Sequence, residues 1–372
     1  MEMLIHESII DGAVGKIRLS EPEIYVDNEK RSRSGHMGHA MASLGGGKII
    51  AFNSNTSLKR IGGHSVFGWM EYRISEDYGK TWGNIQKLDY SFDLLLNGIY
   101  TACVEKCVAC NDGSIVAFCT MCAMEGCGDK YGVPTVIRSS DEGKSWSEAV
   151  ELSEFKGRIY DAFYHDGNIY VLQFCGESFF ADEDKDYYRI FKSEDNGKSF
   201  YELSKVGFES MRCKAYGNMI LTSDERIIVY AYNDNDEFNM DCVISEDMGK
   251  TWGKTFKSHV AKKIRNPQVN ILDGQFILHG RAGEYSDSGK SDVYTSSGAF
   301  VFYTSRDGIN WDGGKILVEG RAACFYSNNL VVKCPDEKDR MLVQYSENCK
   351  HSSELLWSGQ VNVMHMWVES VN

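Results

Sequence analysis

Four arginines stand at matching places in this 372-residue chain: Arg158, Arg212, Arg265 and Arg321 each precede a β-rich stretch that opens a new segment of an internal repeat. A guanidinium offers parallel N–H donors to a planar anion, so several meeting at one point would grip a carboxylate, sulfate or phosphate. Comparable positions carry Tyr100, Glu105, Tyr160, Asp161, Tyr216, Gln268 and Tyr326, and the first segment adds His36, His39, Arg60 and His64. Arg281 is a further candidate binding residue. Phenols can act as nucleophiles, and imidazoles titrate near neutrality and can move a proton, so this combination suits acid/base or covalent chemistry on an anionic ligand. Set against that, isolated arginines usually pair with surface carboxylates, and a tyrosine usually packs with its hydroxyl satisfied. Recurrence at equivalent points of a repeat favours the pocket.

The elements that would position these residues announce themselves through a phrase written five times: Ser75-Glu-Asp77-Tyr-Gly79-Lys-Thr81-Trp82, Ser139 to Trp146, Ser193 to Phe200, Ser245 to Trp252, and a shortened Ser305-Arg-Asp307-Gly308-Ile-Asn-Trp311. Recurrence over such a period marks a modular array. An Asp followed two residues later by Gly suits a tight turn, because the carboxylate can accept backbone N–H bonds while Gly takes the left-handed conformation at little cost. The closing Trp or Phe gives a large apolar anchor. Each phrase follows a β-rich stretch, such as Gly68 to Ile74 or Ala299 to Tyr303, and therefore joins two antiparallel strands.

Upstream in each module lies another strand pair around a Gly- or Asp-containing turn, for example at Asp112-Gly113, Asp166-Gly167 and Asp273-Gly274. Four strands per module, with no long segment of helical period, predict an all-β fold built of propeller blades. Five phrases give five blades. Residues 322–368 hold a sixth set of strands without the phrase, and Lys16 to Val26 is left to close the last blade as an outer strand, covering an otherwise open edge. The expectation is one six-bladed β-propeller domain over residues 1–372, with the first strand of each blade starting at the mouth of a central channel.

The phrase resembles the Asp box, or BNR repeat, and its placement once per blade is similar to the sialidase (neuraminidase) superfamily over essentially the whole chain. That resemblance implies that the boxes are structural, that an arginine cluster holds a sugar carboxylate, and that a tyrosine acts as nucleophile with a Glu beside it and an Asp as acid/base. The segment Phe325-Tyr326-Ser327, followed by Leu342-Val-Gln-Tyr345-Ser-Glu347, is similar to the family's nucleophile region and makes Tyr326 the candidate nucleophile. Elsewhere the chain departs from the pattern. His36-Met-Gly-His39 stands where the family has an Arg-Ile-Pro element, and Arg60-Ile-Gly-Gly-His64 where its acid/base Asp lies. The family's Glu falls near Leu221, and a further arginine near Tyr232 and Asn233. His64 becomes the candidate acid/base, with Asp161 and His39 as alternatives; His36, Arg60, Tyr100, Arg158, Arg212, Tyr216, Arg265, Gln268, Arg281 and Arg321 are the candidate binding residues.

Composition limits the partners. A net charge of −13 argues against nucleic acid or an anionic membrane surface, and no stretch approaches a membrane-spanning length of apolar residues. The start, Met1-Glu-Met-Leu-Ile-His6, lacks a secretory pattern, and twelve cysteines then suggest a reducing, cytoplasmic setting. Six of these lie between Cys103 and Cys127, including Cys107-x-x-Cys110 and Cys119-x-x-Cys122. A tight hairpin at Asn111 to Ser114, pairing residues whose numbers sum to about 225, would set Cys103 opposite Cys122 and Cys107 opposite Phe118. On that register four thiols do not converge on zinc, and buried free thiols are expected, with no metal and no cofactor.

Two functions from different classes follow. One is a glycoside hydrolase acting on an anionic sugar, sialic acid or a related acid, taken as a small molecule or an oligosaccharide. The other is a glycan-binding propeller without catalysis; lyase or epimerase chemistry on a uronic acid would use the same residues.

Overall fold

The computed structural model describes residues 8–57, 68–98, 100–124, 130–178, 187–212, 214–282, 297–321, 325–335, 338–350 and 360–371. Three short strands, β1 (Ser8–Asp11), β2 (Lys16–Leu19) and β3 (Glu23–Val26), and the one-turn helix α1 (Asn28–Arg31) come first. Five four-stranded antiparallel sheets follow in chain order. They comprise β4 (Met41–Gly45), β5 (Lys48–Thr56), β6 (Gly68–Ser75) and β7 (Gln86–Lys87); then, after helix α2 (Asp89–Asn97), β8 (Tyr100–Ala109), β9 (Ile115–Ala123), β10 (Thr135–Ser139) and β11 (Val150–Glu151). The third holds β12 (Gly157–His165), β13 (Asn168–Cys175), β14 (Tyr187–Ser193) and β15 (Tyr201–Lys205), and the fourth β16 (Lys214–Leu221), β17 (Ile227–Asn233), β18 (Asn239–Ser245) and β19 (Phe256–His259). The fifth holds β20 (Arg265–Leu272), β21 (Gln275–Ala282), β22 (Ser297–Ser305) and β23 (Lys315–Arg321). The last sheet runs β1-β2-β26-β25-β24, with β24 (Ser327–Val332), β25 (Arg340–Lys350) and β26 (Gln360–Val371), and β3 also pairs with β26. The fold is all-β, a six-bladed propeller whose N-terminal strands complete the final blade.

The expected closing strand is two strands. β2 aligns Lys16 with Val371 and Leu19 with Val368, while β3 aligns Val26 with Val363. Asn28 locks the join, its N–H donating to Asn362 Oδ1 at 2.8 Å and its side-chain amide to the Val361 carbonyl at 3.0 Å. Ile17 and Leu19 thereby enter a core with Phe300, Phe325, Tyr345 and Val368, in which the Phe300 and Tyr345 rings stack at 4.8 Å.

Each of the five phrases links the third and fourth strands of its sheet, and the first four fold alike. In the first, Ser75 Oγ donates to Asp77 Oδ1 at 2.8 Å and accepts from the Gly79 N–H at 2.8 Å, while the Thr81 N–H and hydroxyl donate to the two Asp77 oxygens at 2.8 and 2.6 Å. Two successive residues are left-handed, as at Tyr78 (φ 61°) and Gly79 (φ 80°). The glycine takes one of them; the other is carried by a side-chain-bearing residue and held by these bonds. The turn also latches one blade to the previous one. Tyr72 of β6 donates to the Gly143 carbonyl at 2.7 Å, and Tyr230 of β17 to the Gly308 carbonyl at 2.8 Å.

By contact density the residues fall into two compact units, Met37–Val229 with Val243–Thr255, and Met1–His36 with Tyr230–Cys242 and Phe256–Asn372. These are called the 37–229 unit and the terminal unit below.

The register of the cysteine hairpin differs from the sequence expectation. Cys107 faces Ala117 and Cys103 faces Thr120, because Glu105 is bulged out between Val104 and Lys106 and the turn closes with Cys110 accepting back from Gly113. Cys103, Cys107, Cys110, Cys119 and Cys122 are buried free thiols, and burial pushes the Cys119 thiol up to about 12. Among the described residues no group of three or more His, Cys, Asp or Glu side chains could hold a metal ion.

Candidate functional site

In the terminal unit the candidate residues gather on Tyr326. It precedes β24, just after Phe325, whose backbone is left-handed at φ 64°. The turn is pinned on both sides, with the Phe325 N–H donating to the Ser346 carbonyl at 2.9 Å and the Ser346 N–H returning to the Tyr326 carbonyl at 3.0 Å. Phe325 is driven inward and stacks on Phe300 at 5.8 Å. A phenylalanine in this strained conformation is tolerated because its burial and two backbone bonds outweigh a cost of about 1–3 kcal/mol. Tyr326 is 6% exposed. The Arg281 guanidinium lies 4.2 Å from its ring centroid, and the His36 ring meets it edge-on at 4.6 Å.

Arg265, at the head of β20, is committed to a carboxylate: its Nε donates to Glu237, which also lies 3.9 Å from Lys263 Nζ. Tyr232 adds a hydrogen bond of 3.1 Å to the same carboxylate and one of 2.6 Å to Asp234. Burial pushes the Tyr232 phenol well above its ordinary value, so it remains a donor. Gln268 is turned back on the chain, its amide donating to the Pro267 carbonyl at 2.9 Å. Arg321 ends β23, its backbone opposite Ser297, rather than leading into the sixth blade; its side chain lies outside the described residues.

The 37–229 unit holds a second gathering. Arg158, beginning β12, places Nε at 3.0 Å and Nη2 at 2.9 Å from the same oxygen of Glu105. Its guanidinium lies 5.2 Å from the Tyr160 ring and 5.5 Å from the Tyr216 ring, and Tyr188 meets Tyr160 at 5.8 Å. Tyr216 is left-handed at φ 44°. The strands that supply these groups are bulged, β8 at Glu105 and β12 at Tyr160, and β20 of the terminal unit is bulged likewise before Gln268. A bulge turns a side chain off the alternating pattern of the strand, and this is how neighbours in sequence reach one point.

Asp161 is surrounded by donors. Lys106 lies 3.0 Å away, the Ala162 N–H donates at 2.9 Å, and the Asn218 amide and Met219 N–H donate at 2.5 and 2.8 Å. A carboxylate so occupied ties three strands together. His39 is buried, Tyr100 is half-buried at the head of β8, and Arg212 is exposed on the turn before β16. Arg60 and His64 lie outside the described residues.

Glu237 and Tyr131 are the partners sequence reasoning passed over. Glu237 stands in the acidic run Asp234-Asn-Asp-Glu237, and a carboxylate in a connection of that kind reads as solvated surface. The demand of the buried Arg265 for a counter-charge is what recruits it.

No protein-family model matches the chain, and no curated protein matches it. Solved structures do. A protein of unknown function from Dyadobacter fermentans superimposes with a TM-score of 0.69 at 15% identity, over 95% of this chain and 99% of that one. The phage phi92 endosialidase gives 0.66 at 8% identity, over 92% and 68%. A Trypanosoma rangeli sialidase in complex with 2,3-difluorosialic acid, a covalent intermediate, gives 0.63 at 14% identity, over 94% of this chain and 58% of that one. At such identities the likeness is one of fold: this chain has the six-bladed propeller architecture that these sialidases have.

Proposed function

We propose that the chain is a glycoside hydrolase of sialidase-like fold that acts on an anionic sugar and uses Tyr326 as its nucleophile. The observation that carries this reading is the guanidinium of Arg281 against the face of Tyr326, with the His36 ring at its edge. A guanidinium at that distance places positive charge beside the phenol, and its planar fork is the shape that grips a sugar carboxylate. The phenolate attacks the anomeric carbon as the bond to the leaving oxygen breaks, and that oxygen takes a proton from an imidazole. Water then releases the sugar from the tyrosine and returns the proton. A phenolate spares the site a second carboxylate facing an anionic substrate. The Trypanosoma rangeli sialidase of the same fold is described as a covalent intermediate with a fluorinated sialic acid, which supports this order of events.

One observation favours the second reading, a glycan-binding propeller without hydrolysis. Arg158 and Arg265 are already neutralised by Glu105 and Glu237, so the positive potential left for an anionic sugar is smaller than an arginine count suggests. A panel of methylumbelliferyl glycosides of sialic acid, uronic acids, rhamnose and arabinose, run on wild type and Tyr326→Phe, separates the two. Turnover by wild type and silence of Tyr326→Phe supports the hydrolase. No turnover, together with a sugar acid that raises the melting temperature, supports the binding module.

A further inference from the structure

The Arg158 cluster of the 37–229 unit holds donors that the proposed step at Tyr326 does not use. A guanidinium has a side edge, Nε with Nη2, and an end edge, Nη1 with Nη2. Glu105 occupies the side edge with a single oxygen, Nε and Nη2 both pointing at Oε1. Nη1 of the end edge has no hydrogen-bond partner among the described residues, although Arg158 is only 3% exposed. The phenol oxygen of Tyr131, in the same cluster, is also without a partner among the described residues, and the Tyr188 hydroxyl, which takes the Gly217 N–H, has no acceptor of its own there. Burial raises both phenols and keeps them protonated, so they too are donors. Buried donors normally find acceptors, and three orphans from one small cluster mark a place for an acceptor from outside.

We infer that the end edge of Arg158, with the Tyr131 and Tyr188 hydroxyls, is a binding site for a small oxyanion such as a carboxylate, and that Glu105 takes up one proton when the anion binds. The charge balance requires the proton. Arg158 and ionised Glu105 sum to zero, so an added anion would leave an uncompensated negative charge in a desolvated place; protonating Glu105 passes the whole guanidinium charge to the newcomer. Glu105 is disposed to this, because burial pushes its carboxyl up against the pull of Arg158. The other titratable groups facing it are Cys103 and Lys106 on its own strand, Cys119 across the hairpin, and Tyr131, Tyr160 and Tyr216 around Arg158. Lys106 is engaged by Asp161 at 3.0 Å, and the thiol of Cys119 and the phenol of Tyr131 are raised by burial and do not titrate in the working range. The site does not depend on Tyr326, so it stands or falls apart from hydrolysis.

The test is calorimetric titration of sodium formate, which stays ionised throughout, into the full chain at pH 5.5, 6.5 and 7.5, in two buffers of different ionisation heat. Wild type is expected to take up one proton per formate bound and, above the titration of Glu105, to lose about tenfold in affinity per pH unit. Glu105→Gln is expected to bind with no proton uptake and no pH slope, and Tyr131→Phe to bind several-fold more weakly with the slope intact. Formate binding by wild type without proton uptake, or no formate binding at any of the three pH values, overturns the inference. The proton count on wild type is decisive even where Glu105→Gln fails to fold.

Discussion

The Arg281 guanidinium sits 4.2 Å above the centre of the Tyr326 ring, a contact between the second strand of the fifth blade and the entry to the first strand of the sixth. It sets a guanidinium against the residue proposed to attack the sugar. Replacing it separates charge from geometry. Arg281→Lys keeps a cation but loses the planar fork, and the expected result is a rise of about tenfold in KM, with kcat reduced as well because the phenolate loses its cover. Steady-state kinetics on the best glycoside of the panel measure both.

Asp161 offers a contrast between scaffold and chemistry. Asp161→Asn leaves Lys106 without its carboxylate and is expected to cost about 3 kcal/mol in urea unfolding, while kcat per folded molecule stays near wild type. Normal stability with a collapsed kcat would instead return Asp161 to the acid/base role.

The blade latches are separable in the same way. Tyr72→Phe and Tyr230→Phe each leave a turn carbonyl, of Gly143 or Gly308, short of its donor. Each change is expected to lower stability by about 1–2 kcal/mol, and the pair to add, since the latches join different blades. Denaturant midpoints of the single and double variants check this.

Acid stability follows from the turns. Hydrogen bonds from the flanking hydroxyls and backbone N–H groups hold Asp141 and Asp247 at about 2, and Asp195 and Asp307 reach about 2 despite some burial, all below the ordinary 3.8. A folded-state value below the unfolded one gives stability that is present above about pH 4 and lost as pH falls toward 2. Glu105 and Glu347, raised by burial, act in the opposite sense, favouring the folded state as they protonate. The melting temperature is therefore expected to hold or rise slightly on mild acidification and then drop below about pH 4. Asp247→Asn is expected to shrink that drop.

Much of the fold was legible because the five phrases carry their own reason: an Asp, a Gly and a hydroxyl at fixed offsets can make only a few turns, and each turn implies the strands beside it. The closing role of Lys16 to Val26 was legible as an unassigned strand beside an open edge. The cysteine register was not, since the turn and the bulge at Glu105 each shift it by one residue, and nothing at Glu105, neither Gly nor Pro, signals the bulge. The same holds at Tyr216 and Phe325, where the left-handed conformation is imposed by packing on residues that do not favour it. Recurrence of arginine was readable, whereas the pairing of Arg158 with Glu105 and of Arg265 with Glu237 depends on which carboxylates tertiary structure brings near a buried charge.

The most direct test of the central claim is to incubate the protein with a 2,3-difluorinated sugar acid matched to the best substrate and to map the adduct by peptide mass spectrometry. A mass increase of one fluorosugar on the peptide containing Tyr326, absent in Tyr326→Phe, is the predicted result. Turnover of substrate with Tyr326 unmodified, or an adduct on another residue, would contradict it.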